Sequence, residues 1–199
     1  AVDAMLAQND VASSSYYLKG LIYYTEGKDK EALDYVNKAL RYNGGNAQAL
    51  ALGGDILRRN GSYSQAIGPY EKIVRAKRAD ERVLLSLAEC YCRVNNYKLL
   101  EQVTSLLREQ GHDKAALQKI ELRALIQQKR MEEAEQLLKQ MSGVKEDSEF
   151  LVLRALCELA AGRRAAATEM TQKALELDPK NREAVELRHV LSKEMEIRK

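Results

Sequence analysis

Three cysteines and two histidines are the residues of this 199-residue chain whose types could hold a metal or attack a substrate. Their spacing suits neither task. Cys90 and Cys92 are one residue apart and Cys157 stands alone, so there is no CxxC pair for a zinc ribbon and no even set for a disulfide framework. His112 and His189 lack an HxxxH or HExxH context, and no GxSxG turn is present. Free cysteine behaves as a small hydrophobe, so the thiols read as buried groups in a reducing compartment. The expectation is a protein without catalytic residues, metal or cofactor.

Charge is the remaining chemistry. Thirty-two basic and 29 acidic side chains leave a net charge of +3, and 45% hydrophobic with 31% charged residues describes an ordinary globular chain. No run approaches the roughly 18 to 20 apolar residues that a membrane-spanning helix needs. The first residues, "AVDAMLAQND", carry acid where a secretion signal would be basic and then apolar. A soluble, cytoplasmic protein is expected.

These side chains must be positioned by helices. The chain has two prolines, Pro69 and Pro179, no alternating run of β-branched residues, and Ala, Leu, Glu, Lys, Arg and Gln at helical spacing nearly end to end. Turn signals such as "EGKD" at 26–29, "RNGS" at 59–62, "VNN" at 94–96 and "AAGRR" at 160–164 cut it into short helices. The interruptions are periodic. Candidate helix caps fall at Asn46, Asp80, Asp113, Asp147 and Asn181, at intervals of 34, 33, 34 and 34. A second series runs through Ala32, Ala66, Leu100, Ala134 and Ala167, at intervals of 34, 34, 34 and 33. The two series slip at different places, which predicts one residue lost near Gly111 and one gained in "QQKR" at 127–130. Ser62 with Gln65 has the spacing of a capping box, and Pro69 inside the helix that follows predicts a kink near residues 65–69.

A 34-residue period of helix, turn, helix, turn resembles the tetratricopeptide repeat. The marks lie at matching positions: small residues where two helices cross (Gly20, Gly54, Ala88, Ala155), turn residues between them (Gly27, Gly61, Asn95, Gly162), small residues in the second helix (Ala32, Ala66, Ala134, Ala167), and the closing "ALELDP" at 174–179. Tryptophan is absent, only the last repeat has the closing proline, and Leu100 stands where a small residue is usual. The resemblance implies an all-α, right-handed α-solenoid of five repeats at 13–46, 47–80, 81–113, 114–147 and 148–181. Residues 182–199 then form a capping helix with Ala184, Leu187, Leu191 and Met195 on one face. Residues 1–12 form a short helix packed on the first repeat or the remnant of an upstream one.

The resemblance further implies a non-catalytic scaffold that binds a partner peptide or helix in a concave groove lined by the first helix of each pair. Matching positions give Tyr17, Leu21 and Tyr24 in repeat one; Gln48, Asp55, Arg58 and Arg59 in repeat two; and Arg82, Leu85, Glu89 and Arg93 in repeat three. Repeat four presents Lys119 and Arg123 in one register or Gln118 and Leu122 in the other, and repeat five presents Val152, Leu156 and Leu159. The basic middle points to an acidic or acidic-aromatic segment as partner. A solvated face with pairs such as Asp55 to Arg58 or Arg59 is the plain alternative. Members that clamp the C-terminal carboxylate of heat-shock chaperones carry Lys, Asn and Arg where this chain has Tyr17, Leu21, Leu52, Arg82 and Ser86, so that role is not expected. A helical-repeat nucleic-acid reader is the alternative function, disfavoured by the 34-residue period and by acids interleaved with the arginines.

Overall fold

The computed structural model describes residues 2–111 and 114–196, with side chains over 8–111 and 114–193. Every described element is an α-helix, and the chain divides into two compact units, Ala1–His112 and Asp113–Lys199. The first holds α1 (Val2–Thr25), α2 (Asp29–Tyr42), α3 (Ala47–Arg59), α4 (Tyr63–Arg75), α5 (Glu81–Arg93) and α6 (Tyr97–Glu109). The second holds α7 (Lys114–Gln127), α8 (Met131–Gln140), α9 (Ser148–Ala160), α10 (Arg164–Leu177) and α11 (Arg182–Glu196).

Two different devices start the helices. Leading helices begin on a side-chain cap: Asn46, Asp80 and Asp147 accept the amides of Ala49, Val83 and Phe150, and Asn181 accepts that of Ala184. Each thereby satisfies an amide that has no partner within its helix. The fifth candidate, Asp113, lies outside the described residues. Second helices begin on a three-residue turn whose middle residue is left-handed: Gly27, Gly61, Asn95, Lys129 and Gly162, at φ of 76°, 77°, 59°, 59° and 75°; α6 has a side-chain cap as well, Asn96 accepting the amide of Leu99. In the turn at Gly61, its amide donates to Arg58 O and that of Ser62 to Leu57 O, closing the end of α3.

The expected capping box does not form: Ser62, at ψ 55°, makes no side-chain cap bond, whereas Asn96 at the equivalent place before α6, at ψ 71°, reaches the amide of Leu99 with its longer side chain. Pro69 lies inside α4, which runs as one helix from Tyr63 to Arg75. The turn at 128–130 has the same three residues as the others, and α7, which ends at Gln127, has 14 residues against 13 in α3, α5 and α9. Residues 2–25 form one helix of 24 residues, so no break at 12 separates an N-terminal helix from the first hairpin.

The periodic small residues are the packing contacts. Ala32, Ala66, Ala134 and Ala167 are fully buried and Leu100 nearly so. At Gly54 an added Cβ would lie 2.6 Å from the Tyr70 ring, so α3 and α4 reach their spacing only with hydrogen at that position. In the first unit Leu52 and Ile56 pack with Tyr17, Leu21 and Tyr24. In the second, Leu187 and Leu191 of α11 bury against Ala155 and Ala167, while Ala184 joins Leu151 and Ala174. The side chain of Met195, expected on that face, lies outside the described residues.

Candidate partner-binding surface

In the first unit the leading helices α1, α3 and α5 adjoin, with α3 touching both of the others. They assemble Tyr17, Leu21 and Tyr24 with four arginines, and every arginine meets an acid. Arg58 Nη1 lies 2.7 Å from Glu89 Oε2, Arg82 bonds Asp55, and Arg59 Nε donates to Asp29 Oδ2 at 3.1 Å while its guanidinium stacks 3.8 Å from the Tyr24 ring centroid. Arg93 approaches Glu89 at 3.9 Å and lies 5.3 Å from the Tyr63 ring centroid. Tyr70 donates to Asp55 at 2.6 Å from behind.

The expected pairs within α3 do not form. Asp55 turns to Arg82 of the next hairpin, and Arg58 and Arg59 find acids 31 residues ahead and 30 behind. Arg58 and Asp55 meet partners on the adjoining leading helix α5 across a half-buried seam, and Arg59 meets Asp29 at the start of α2. A neighbour on the same helix competes with water instead.

Burial works against charge here, and the pairs prevail. Desolvation lowers the affinity of Arg58 for its proton, but Glu89 and Tyr70 hold it firmly protonated. Burial and the bond to Asp55 push the Tyr70 phenol well above its ordinary range, so it remains a donor. Burial likewise raises the Cys90 thiol to about 12 and that of Cys157 to about 11, which keeps both protonated and poor nucleophiles at neutral pH. Cys92 is also buried.

In the second unit the leading helices are α7, α9 and α11. The register of α7 puts Lys119 and Arg123 on this face, whereas Leu122 lies in the core with Phe150 and Leu153 and Gln118 is buried. Lys119 bonds Asp147. Arg123, expected to be open to a partner, is only 5% exposed; its guanidinium forks between Glu183 at 2.8 Å and Glu149 at 3.1 Å, joining three helices. Val152, expected beside it, is fully buried in the core of α9 and α10, leaving Leu156 and Leu159 half-buried.

Sequence reasoning missed Asp29 in the first unit and Asp147, Glu149 and Glu183 in the second as ion-pair partners. A signal for three of them was present: acid and base recur 26 to 30 residues apart, one repeat less about one to two helical turns, in Asp29–Arg59, Lys119–Asp147 and Arg123–Glu149. Glu183 lies 60 residues from Arg123 and follows no such interval.

Residues 17–81 match the tetratricopeptide repeat profile. Among solved structures, a tetratricopeptide repeat protein from Parabacteroides merdae superposes with a TM-score of 0.73 at 18% identity, over 89% of this chain and 70% of that one. A thermophilic TPR protein of Thermus thermophilus, TTC0263, gives 0.66 at 23% identity over 92% and 98%. YrrB, described as a TPR protein with an unusual peptide-binding site, gives 0.56 at 18% identity over 86% and 89%. No curated protein sequence matches the chain. Fold and profile together define an all-α assembly of helical hairpins in the solenoid class. Residues 17–81 carry the sequence pattern of the tetratricopeptide repeat, and the chain shares the fold of solved tetratricopeptide repeat proteins.

Proposed function

We propose that this chain is a non-catalytic, cytoplasmic scaffold whose leading helices receive a segment of a partner protein. In the first unit that segment is acidic or acidic-aromatic. Tyr17, Leu21 and Tyr24 serve as apolar anchors, Arg58, Arg59, Arg82 and Arg93 hold its carboxylates, and Lys119 and Arg123 belong to the corresponding face of the second unit.

The observation that carries this reading is the gradient of exposure among the paired arginines. Arg82 and Arg59 have side chains 56% and 38% exposed, and the two arginines on Glu89, Arg58 and Arg93, are 32% and 18% exposed. An incoming carboxylate exchanges first with Asp55 and Asp29 at the open end, while Arg58 and Arg93 stay fixed on Glu89 and shape the floor. Exchange of one half-exposed ion pair for another gains little by itself, on the order of 0 to 1 kcal/mol. Affinity therefore rests on the tyrosines, and the arginines set register and encounter rate. Arginine suits the role because its planar fork takes a carboxylate while its face stays on an aromatic ring, as Arg59 does on Tyr24. YrrB supports the class of ligand through its named peptide-binding site.

A panel of fluorescent peptides, acidic-aromatic, acidic and basic, with a single-stranded RNA of equal charge to the acidic peptide, tests the reading by anisotropy. The acidic-aromatic peptide should bind tightest, and Arg59→Glu with Arg82→Glu should slow its association. Preference for RNA, or kinetics unchanged in the double variant, would sink the proposal.

A further inference from the structure

The capped leading helices supply a ruler for the first hairpin. Six and ten residues after Asn46, Asp80 and Asp147 stand Leu52 and Ile56, Ser86 and Cys90, and Leu153 and Cys157, and all six are buried. They are buried because an earlier hairpin covers them: Leu52 and Ile56 pack with Tyr17, Leu21 and Tyr24 of α1, and Leu153 and Cys157 with Leu122 of α7. One period before Leu52 and Ile56 come Leu18 and Ile22 on α1, and these are 55% and 57% exposed. Val11, two turns before Leu18 on the same face, is 68% exposed.

The stripe is built as a contact rather than as a solvated face. Ser14, Ser15 and Thr25 share it, and no charged residue interrupts it between 11 and 25 along that side. Ser15 Oγ turns back to Val11 O at 2.9 Å and Thr25 Oγ1 to Ile22 O at 2.8 Å, so their donors are spent within the helix and their carbon faces outward. Lys19 of α1 lies off the stripe, 5.8 Å from the ring centroid of Tyr35 on α2, which Lys38 of α2 approaches at 4.6 Å.

We propose that this stripe is a self-association surface, through which two copies of the chain pair α1 against α1. An uncharged stripe sets no like charges opposite each other when a two-fold axis relates the copies, a condition that an isologous interface must meet. The side chains are also self-complementary in one antiparallel register. With the axis between residues 16 and 17, Val11 of each copy meets Ile22 of the other, and Leu18 meets the small Ser15. The seam from Val11 to Ile22 runs about 17 Å along α1.

Sedimentation velocity of the full chain across the micromolar range is the test. The chain should pass from monomer to dimer with concentration. Leu18→Glu and Ile22→Glu should each weaken the dimer by roughly tenfold or more, as expected for central apolar anchors, and together abolish it. Both side chains are exposed in the single copy, so the helical circular dichroism spectrum and melting temperature should stay unchanged. Val190→Glu, at an exposed apolar position on α11, should leave the dimer intact. A monomer at every concentration, or a dimer that survives the double variant, overturns the proposal; the first result would assign the stripe to a different protein or to a further hairpin.

Discussion

Asn181 Nδ2 donates to Ser148 Oγ at 2.7 Å, and Asn46 Nδ2 makes the same bond to Ser13 Oγ at 2.9 Å. In both, the cap of one leading helix reaches a hydroxyl of the leading helix before it: Ser148 opens α9, and Ser13 lies midway along α1. The preceding helices also end alike: Asn43 and Asp178 are extended at φ −139° and −142°, their side chains accept the amides of Gly45 and Lys180, and their carbonyls accept the amides of Asn46 and Asn181. "NKALRYNGGNAQAL" and "QKALELDPKNREAV" thus fold into one connection used twice. Asn181→Ala should cost about 1 to 2 kcal/mol by loss of the cap and the inter-helix bond. Asn181→Asp keeps the cap and loses only the donor, so chemical denaturation should place it between the two.

Gly54→Ala tests the closeness of α3 and α4. With the Tyr70 ring 2.6 Å from the new Cβ, the ring must move and strain its bond to Asp55. A loss of about 1 to 3 kcal/mol is expected, typical of overpacking, despite the better helix propensity of alanine. A stabilised variant would contradict the packing described.

Lys129 holds a left-handed conformation that glycine supplies at Gly27, Gly61 and Gly162. A residue with a Cβ pays about 1 to 2 kcal/mol there relative to its preferred region. Lys129→Gly should therefore stabilise the chain by several tenths to about 1 kcal/mol, the gain being reduced by the entropy that glycine adds to the unfolded state. The melting temperature is the readout, and a fall on substitution would count against this turn.

Asp147 links stability to pH. Burial raises its pKa, but Lys119 and the amide of Phe150 outweigh it and leave the carboxyl below its ordinary value. A depressed folded value means that its stabilisation is complete above the unfolded pKa of about 3.9 and is lost as pH falls through the folded value. Asp147→Asn retains an oxygen for the cap and removes the titration. Its stability should fall less steeply than that of the parent chain as pH drops below about 4; equal slopes would remove Asp147 from the acid response.

Arg123→Met should destabilise the chain by about 2 to 3 kcal/mol, toward the low end for a broken buried pair because Glu149 and Glu183 keep part of their hydration. Arg123→Lys should recover little of this, since a point charge cannot fork to two carboxylates. Urea denaturation of the three chains gives the comparison.

Much of this was legible from spacing alone. Caps at Asn46, Asp80, Asp147 and Asn181, turns at Gly27, Gly61, Asn95 and Gly162, and the buried small series all announce themselves by residue type at a fixed period. What escaped lies where residue type does not report conformation. Lys129 is not a turn former, and its backbone follows from the helices on either side. Ser62 has the chemistry of a cap and makes no cap bond, whereas Asn96 at the equivalent place does. Arg123 looks like a surface cation, and its burial depends on two acids, one of them in the final helix.

The ion pairs have a consequence for how such a chain can be rearranged. Arg58 of the second hairpin needs Glu89 of the third, Asp55 needs Arg82, and Arg59 needs Asp29 of the first. Each hairpin carries an address for its neighbours. If the second were copied in tandem, Asp55 would face Gln48 of the copy instead of an arginine. Repeats that are alike in their backbone are therefore not exchangeable parts, and their order is written in the charges along the seams.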